Sequence, residues 1–158
     1  MAVSPVRAIP EGYHQVTPSI VVDDADKALA FYRDALGAQE LYRLPVGDKV
    51  GHAEMQIGDS RVMLSDEFPQ WGAASPKTRG GATGSLMLYV PDVDAAFDRA
   101  LKAGATVVQD LQDQFWGDRT GAVADPFGHK WLLATHVEDV PPEEMQRRSE
   151  SWAAQQQG

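Results

Sequence analysis

Two stretches decide the fold: "VVDDADKALAFYRDALGA", residues 21–38, and "YVPDVDAAFDRALKAGA", residues 89–105. Each runs from apolar residues into Asp-x-Asp-x-Ala, then a helix-patterned segment, then Gly-Ala. Asp24 and Asp92 hold the same place in the two copies. A chain that says one thing twice is built from repeated supersecondary units.

Working outward from each copy gives the same order of elements. In the first, "PSIVV" (18–22) is a short β-branched strand and Asp23 or Asp24 offers an N-cap carboxylate. Ala25, Leu29, Tyr32 and Leu36 form one apolar stripe, and Gly37 ends the helix. "ELYRLPV" (40–46) reads as a strand. "HAEMQI" (52–57) alternates at period two, as a half-buried strand does, and "RVMLSD" (61–66) returns after the "IGDS" turn. In the second copy "SLMLYV" (85–90) is a strand, and Val93, Phe97 and Ala100 stripe a helix ended by Gly104. "TVVQDL", "TGAVAD" and "KWLLATH" follow as strands, with "DPFGH" a tight turn before the last. Both modules read β-α-β-β-β, an α+β class.

The boundaries expected are an extended arm over 1–13, a paired domain over 14–137 and a helical tail over 138–158. Within the domain, module one covers 14–67 and module two 85–137. Residues 68–84, rich in Pro, Gly, Ser and Thr, form a linker or a working loop. Met145 and Trp152 lie seven apart on one face of the tail helix, where they either dock it or meet a partner.

Bulk properties remove several function classes. The 158 residues carry a net charge of −9 with pI about 4.7, and 43% are hydrophobic. An acidic chain does not replace the counterions of nucleic acid, nor bind an anionic membrane surface. There is no cysteine, hence no disulfide, thiolate nucleophile or thiolate metal ligand. No apolar run approaches the ~20 residues needed to cross a bilayer, and no secretory signal is evident. The expected setting is the cytoplasm.

Two β-α-β-β-β units resemble the vicinal-oxygen-chelate superfamily, which includes glyoxalase I, bleomycin-resistance proteins and extradiol dioxygenases. "GHAEMQIGDSRVMLSDE", "DQFWGDRTGAVADPFGHKWLLATH" and "EDVPPEEMQRR" resemble its PhnB-like branch. The resemblance implies two modules curled into a half-barrel around a cleft, helices on the convex side, and a homodimer. It also implies where a metal would bind: one ligand from each of four strands. Those positions are Thr17, Met63, Ser85 and Leu132 here. Two hydroxyls, a thioether and an alkyl group are poor ligands for Zn²⁺, Fe²⁺ or Mn²⁺. No metal and no cofactor are therefore expected.

His52 and Glu54 leave one face of their strand with Gln56, and Ala53, Met55 and Ile57 leave the other. The pair can ligate a metal, transfer a proton or hydrogen-bond across the sheet. The expected roles are acid and base for a metal-independent isomerase or lyase. The alternative is a protein that sequesters a small organic compound without turnover. Thr17, Ser19, Ser85 and Tyr89 supply hydroxyls to such a cleft, Met63, Met87 and Leu132 an apolar floor, and Trp116 and Arg119 one wall. Arg119 either grips an anionic group with its guanidinium fork or pairs within the protein. His129 is read as structural, and His136 as meeting the tail.

Overall fold

The computed structural model describes residues 6–156, so the first five residues of the expected arm and the last two of the tail lie outside the described residues. The chain divides into two compact units between Gly81 and Ala82.

Unit one contains β1 (Ser19–Val21), α1 (Ala25–Leu36), β2 (Gln39–Val46), β3 (Lys49–Ile57), β4 (Ser60–Ser65) and the short helix α2 (Pro76–Arg79). The sheet order is β1-β4-β3-β2. β1 runs parallel to β4, and the other pairs are antiparallel. Of the two candidate caps, Asp24 accepts from the Lys27 N–H, while Asp66 at the end of β4 accepts from the Ala25 N–H at 2.8 Å. Helix α1 is thus tied to the sheet at its first turn. Its buried stripe is Ala25, Ala28, Leu29, Phe31, Tyr32 and Ala35, closer to the sheet than Leu36, which is half-buried. Ala53, Met55, Ile57, Val62 and Leu64 on β3 and β4 are buried in the same unit.

The Pro/Gly-rich segment is not a free linker. Phe68 is buried and stacks on Trp71 with ring centroids 4.7 Å apart. Ser75 is fully buried, donates its N–H to Glu67 at 2.7 Å and caps α2, whose first residue is proline. Residues 68–81 therefore belong to unit one.

Unit two repeats the plan with β5 (Ser85–Tyr89), α3 (Val93–Ala103), β6 (Thr106–Asp113), β7 (Asp118–Ala124) and β8 (Lys130–His136), in the order β5-β8-β7-β6. Asp92 caps α3, and Val93, Phe97 and Ala100 are its buried residues. The repeat extends to register. Ser19 pairs with Met63 in unit one, and Met87 with Leu132 in unit two, as the alignment of Met63 with Leu132 requires. Helix α4 (Pro142–Gln156) is anchored by Arg148, which pairs with Glu138 at 2.8 Å and donates to the Phe115 carbonyl at 3.3 Å. Its Trp152 ring lies 5.8 Å from that of Phe115. Among the described residues no helix is long and apolar enough to cross a membrane.

Candidate functional site

β3 places His52 and Glu54 on the face opposite α1, as the alternation predicts. Glu54 is nevertheless only 2% exposed, as buried as the core. A carboxylate taken out of water must be hydrogen-bonded, and this one is served from several elements. Tyr42 on β2 donates its hydroxyl to Oε1 at 2.5 Å, and His52 Nε2 lies 3.1 Å from the same oxygen. Tyr13, from the N-terminal arm, donates its hydroxyl to Oε2. Arg61 on β4 stands 3.9 Å from Oε2 and carries the Tyr13 ring 4.3 Å from its guanidinium carbon. His52 keeps a side chain 34% exposed, and its other ring nitrogen has no partner among the described residues.

Beside this carboxylate lies a cavity of about 440 Å³ lined by Ile9, Pro10, Tyr13, His14, Thr17, Glu54 and Met63, among others. Three expected site residues, Thr17, Met63 and Glu54, thus meet at one cavity. Ser19 is exposed beside Met63 in the strand register. Tyr13, Tyr42 and Arg61 were not legible as site residues. The only available signal was that Tyr42 and Arg61 sit on the strands flanking Glu54.

In unit two, Ser85, Met87 and Tyr89 share the exposed face of β5, and Leu132 is half-buried on β8. Tyr89 and Trp116 converge on Asp118, which is 3% exposed. The Tyr89 hydroxyl donates to Oδ2 at 2.8 Å and Trp116 Nε1 donates to it at 3.2 Å. His136 Nδ1 lies 2.7 Å from Oδ1, and its Nε2 lies 2.9 Å from Asp139 in the tail. The turn holding Trp116 closes at Gly117, whose carbonyl accepts the Val137 and Glu138 N–H groups. With φ +96, and with a Cβ there falling 2.1 Å from the Glu138 carbonyl oxygen, only glycine fits.

Arg119 is differently employed. Its fork spans both oxygens of Asp94 at 2.9 and 2.8 Å, and NH1 reaches Asp113 at 3.2 Å. It pairs within the protein, binding α3 to β7. His129 has its N–H on Asp125, which also takes the Phe127 N–H and Trp131 Nε1, each at 2.9 Å, a structural turn as expected.

The Asp118 cluster has a definite pH signature. Burial alone would push the Asp118 carboxyl up, but the bonds from His136, Tyr89 and Trp116 outweigh it and hold it below the ordinary carboxylate range. His136 is raised above an ordinary imidazole, by Asp118 first and then Asp139. A carboxyl lowered by folding stabilises the fold above its unfolded pKa and loses that contribution as pH falls through the folded value; a raised imidazole stabilises below its unfolded pKa and loses it as pH rises through the folded value. Both contributions are in force between about pH 4 and 6.5. An NMR titration is expected to give His136 a midpoint above 6.5, falling in Asp118→Asn. The thermal-stability gap between the two proteins should narrow from pH 6 to pH 9. A wild-type midpoint at or below 6.5 refutes the ion pair.

Metal ligation does not fit these residues. The positions at which the resemblance places ligands hold Thr17, Met63, Ser85 and Leu132, a poor donor set for a divalent metal. Among the described residues no group of three or more His, Asp or Glu is placed to hold an ion.

Comparison with known proteins agrees with the architecture. The family model described as the Glyoxalase/Bleomycin resistance protein/Dioxygenase superfamily matches residues 12–133. The uncharacterized protein Mb0911c of Mycobacterium bovis is 49% identical over 135 residues, covering 83% of this chain and 89% of its own length. The crystal structure of TioX from Micromonospora sp. ML1 is similar with a TM-score of 0.63 and 28% identity, over 78% of this chain and 99% of that one. The fosfomycin resistance protein FosX from Mesorhizobium loti, at 15% identity, shares the fold with a TM-score of 0.58 over 77% of this chain and 91% of its own. With two β-α-β-β-β units in matching register and a family model spanning both, the chain belongs to the Glyoxalase/Bleomycin resistance protein/Dioxygenase superfamily.

Proposed function

We propose that this protein binds a small organic molecule at the His52/Glu54 face of unit one and exchanges a proton with it through His52, without a metal. The observation that carries this reading is the state of Glu54. Its oxygens are taken up by the phenols of Tyr13 and Tyr42 and by His52. A carboxylate so occupied makes a poor base for a substrate. It makes a good orienter, fixing the imidazole through one nitrogen and leaving the other to work. The expected division into acid and base thus becomes one proton carrier, His52, and one positioning residue, Glu54. The reaction class is that of an isomerase or lyase.

The apolar lining from Ile9, Pro10 and Met63 and the net charge of −9 also favour a second reading, sequestration of a cationic or planar compound without turnover. Within unit two, Met87, Tyr89 and Trp116 offer a separate apolar, aromatic surface of the kind such a compound favours. The proposal includes the PhnB-like branch, a cytoplasmic setting and a homodimer. The strand orders support the last, since they leave β1 and β2, and β5 and β6, as sheet edges within their units, and edges are ordinarily paired or covered.

The first test is a ligand screen read by NMR. Compounds recovered from native protein by mass spectrometry are added back, and the ring signals of His52 and His129 are followed. A binder is expected to shift His52 and leave His129 in place. A compound that binds stoichiometrically without moving His52 sinks the site.

A further inference from the structure

We infer that the N-terminal arm is a removable occupant of the ligand site, and that Tyr13 marks a subsite for a hydroxylated aromatic ring. The inference rests on the reading that the Glu54 face binds ligand, and names the ligand's class.

Tyr13 is attached by its side chain more than by its backbone. Among the described residues, no backbone hydrogen bond ties residues 6–16 to the sheet; the Tyr13 N–H turns back to the Pro10 carbonyl at 3.2 Å. Residues 6–12 are all exposed. Apart from the exposed His14, 3.9 Å from Asp59 in the β3–β4 turn, what reaches the sheet is one phenol, with its hydroxyl on the buried Glu54 carboxylate and its ring over Arg61. Gly12 permits the approach: φ is +80, and a Cβ there would fall 2.4 Å from the Arg61 guanidinium.

These features define a recognition set that does not depend on Tyr13 being covalently attached. A buried anionic acceptor selects a hydroxyl donor, a guanidinium face selects an electron-rich ring, and Met63, which stays on β4 when the arm leaves, gives the ring an apolar contact. A free phenol meets all three requirements. Tyr42 supplies a second phenol to the same carboxylate from β2, so the acceptor already accommodates two such donors. A phenolic ligand would replace Tyr13, and the arm would swing off as it entered.

The probe is 4-methylphenol, with toluene as the partner lacking a hydroxyl. Tyr13→Ala is expected to bind 4-methylphenol at least about tenfold more tightly than wild type, because the internal competitor is gone, and to prefer it over toluene by about tenfold or more, the scale of a hydrogen bond to a charged group. Adding Glu54→Gln to Tyr13→Ala should erase most of the preference. In wild type, saturating 4-methylphenol should free the Tyr13 ring, read by NMR as loss of its ring contacts with Arg61. A folded Tyr13→Ala with no gain in affinity, or a saturated wild type with an unchanged arm, overturns the inference. A ligand from the native protein that shifts His52 while Tyr13→Ala gains nothing overturns the arm inference and leaves the His52 reading standing. The converse result, a tenfold gain without any response from His52, upholds the phenol subsite and removes proton transfer.

Discussion

His52→Gln is expected to lower the exchange of solvent deuterium into the compound that co-purifies with the protein by about 10²- to 10⁴-fold, the range for losing a general acid–base group. Affinity should stay within a few-fold, which marks a group used mainly in the transition state. The separation is clean because His52 carries little of the fold. Its side chain is 34% exposed and makes one hydrogen bond, to Glu54, which keeps Tyr13 and Tyr42 as donors. A glutamine amide can still donate to Glu54 but cannot cycle a proton near neutral pH. Stability should therefore fall by no more than about 1 kcal/mol. Wild-type exchange in a folded His52→Gln protein would remove His52 as the proton carrier, and exchange no faster than background in wild type itself would leave sequestration as the function.

The helices were legible because their information is local. A 3.6-residue stripe, an aspartate cap and a terminal glycine lie within one window, and α1 and α3 follow them closely. The strand faces were legible for the same reason: Ala53, Met55 and Ile57 are buried, as period two demands. Alternation reveals which face a side chain leaves, but not what covers that face. Glu54 is covered by Tyr13, 41 residues away along an arm with no periodicity. The sequence left Arg119 open between a ligand and an internal partner because that partner, Asp94, is 25 residues distant, on a helix whose outer face carries no pairing signal. His136 meets Asp118 only through the β7–β8 register, in which the two stand opposite. The segment over 68–84 misled by composition. Ser75 and Pro76 are as much a helix entry as a loop signature, and the buried Phe68 is what attaches the segment.

Glu54→Ala is expected to cost unit one about 3 kcal/mol, the scale for removing one partner from a buried, charge-bearing network. The loss has three parts. The Tyr13 and Tyr42 phenols lose their acceptor, and the Arg61 cation, its side chain 23% exposed, loses the anion 3.9 Å away. The remaining space beside a 440 Å³ cavity then admits water onto β3. Glu54→Gln should cost less, about 1–2 kcal/mol, since one acceptor oxygen survives while the amide N–H₂ faces a phenol that also needs to donate. Removing donors together with acceptor, as Glu54→Leu/Tyr13→Phe/Tyr42→Phe, should recover part of the loss, because unmet polar groups cost more than absent ones. Urea unfolding read through Trp71, which lies in unit one while the other three tryptophans lie in unit two, measures each step. A Glu54→Ala protein within about 1 kcal/mol of wild type would show that the phenols and Arg61 find water as readily as they find Glu54. The carboxylate would then hold neither the arm nor the imidazole in place, and the orienting role assigned to it would fail with them.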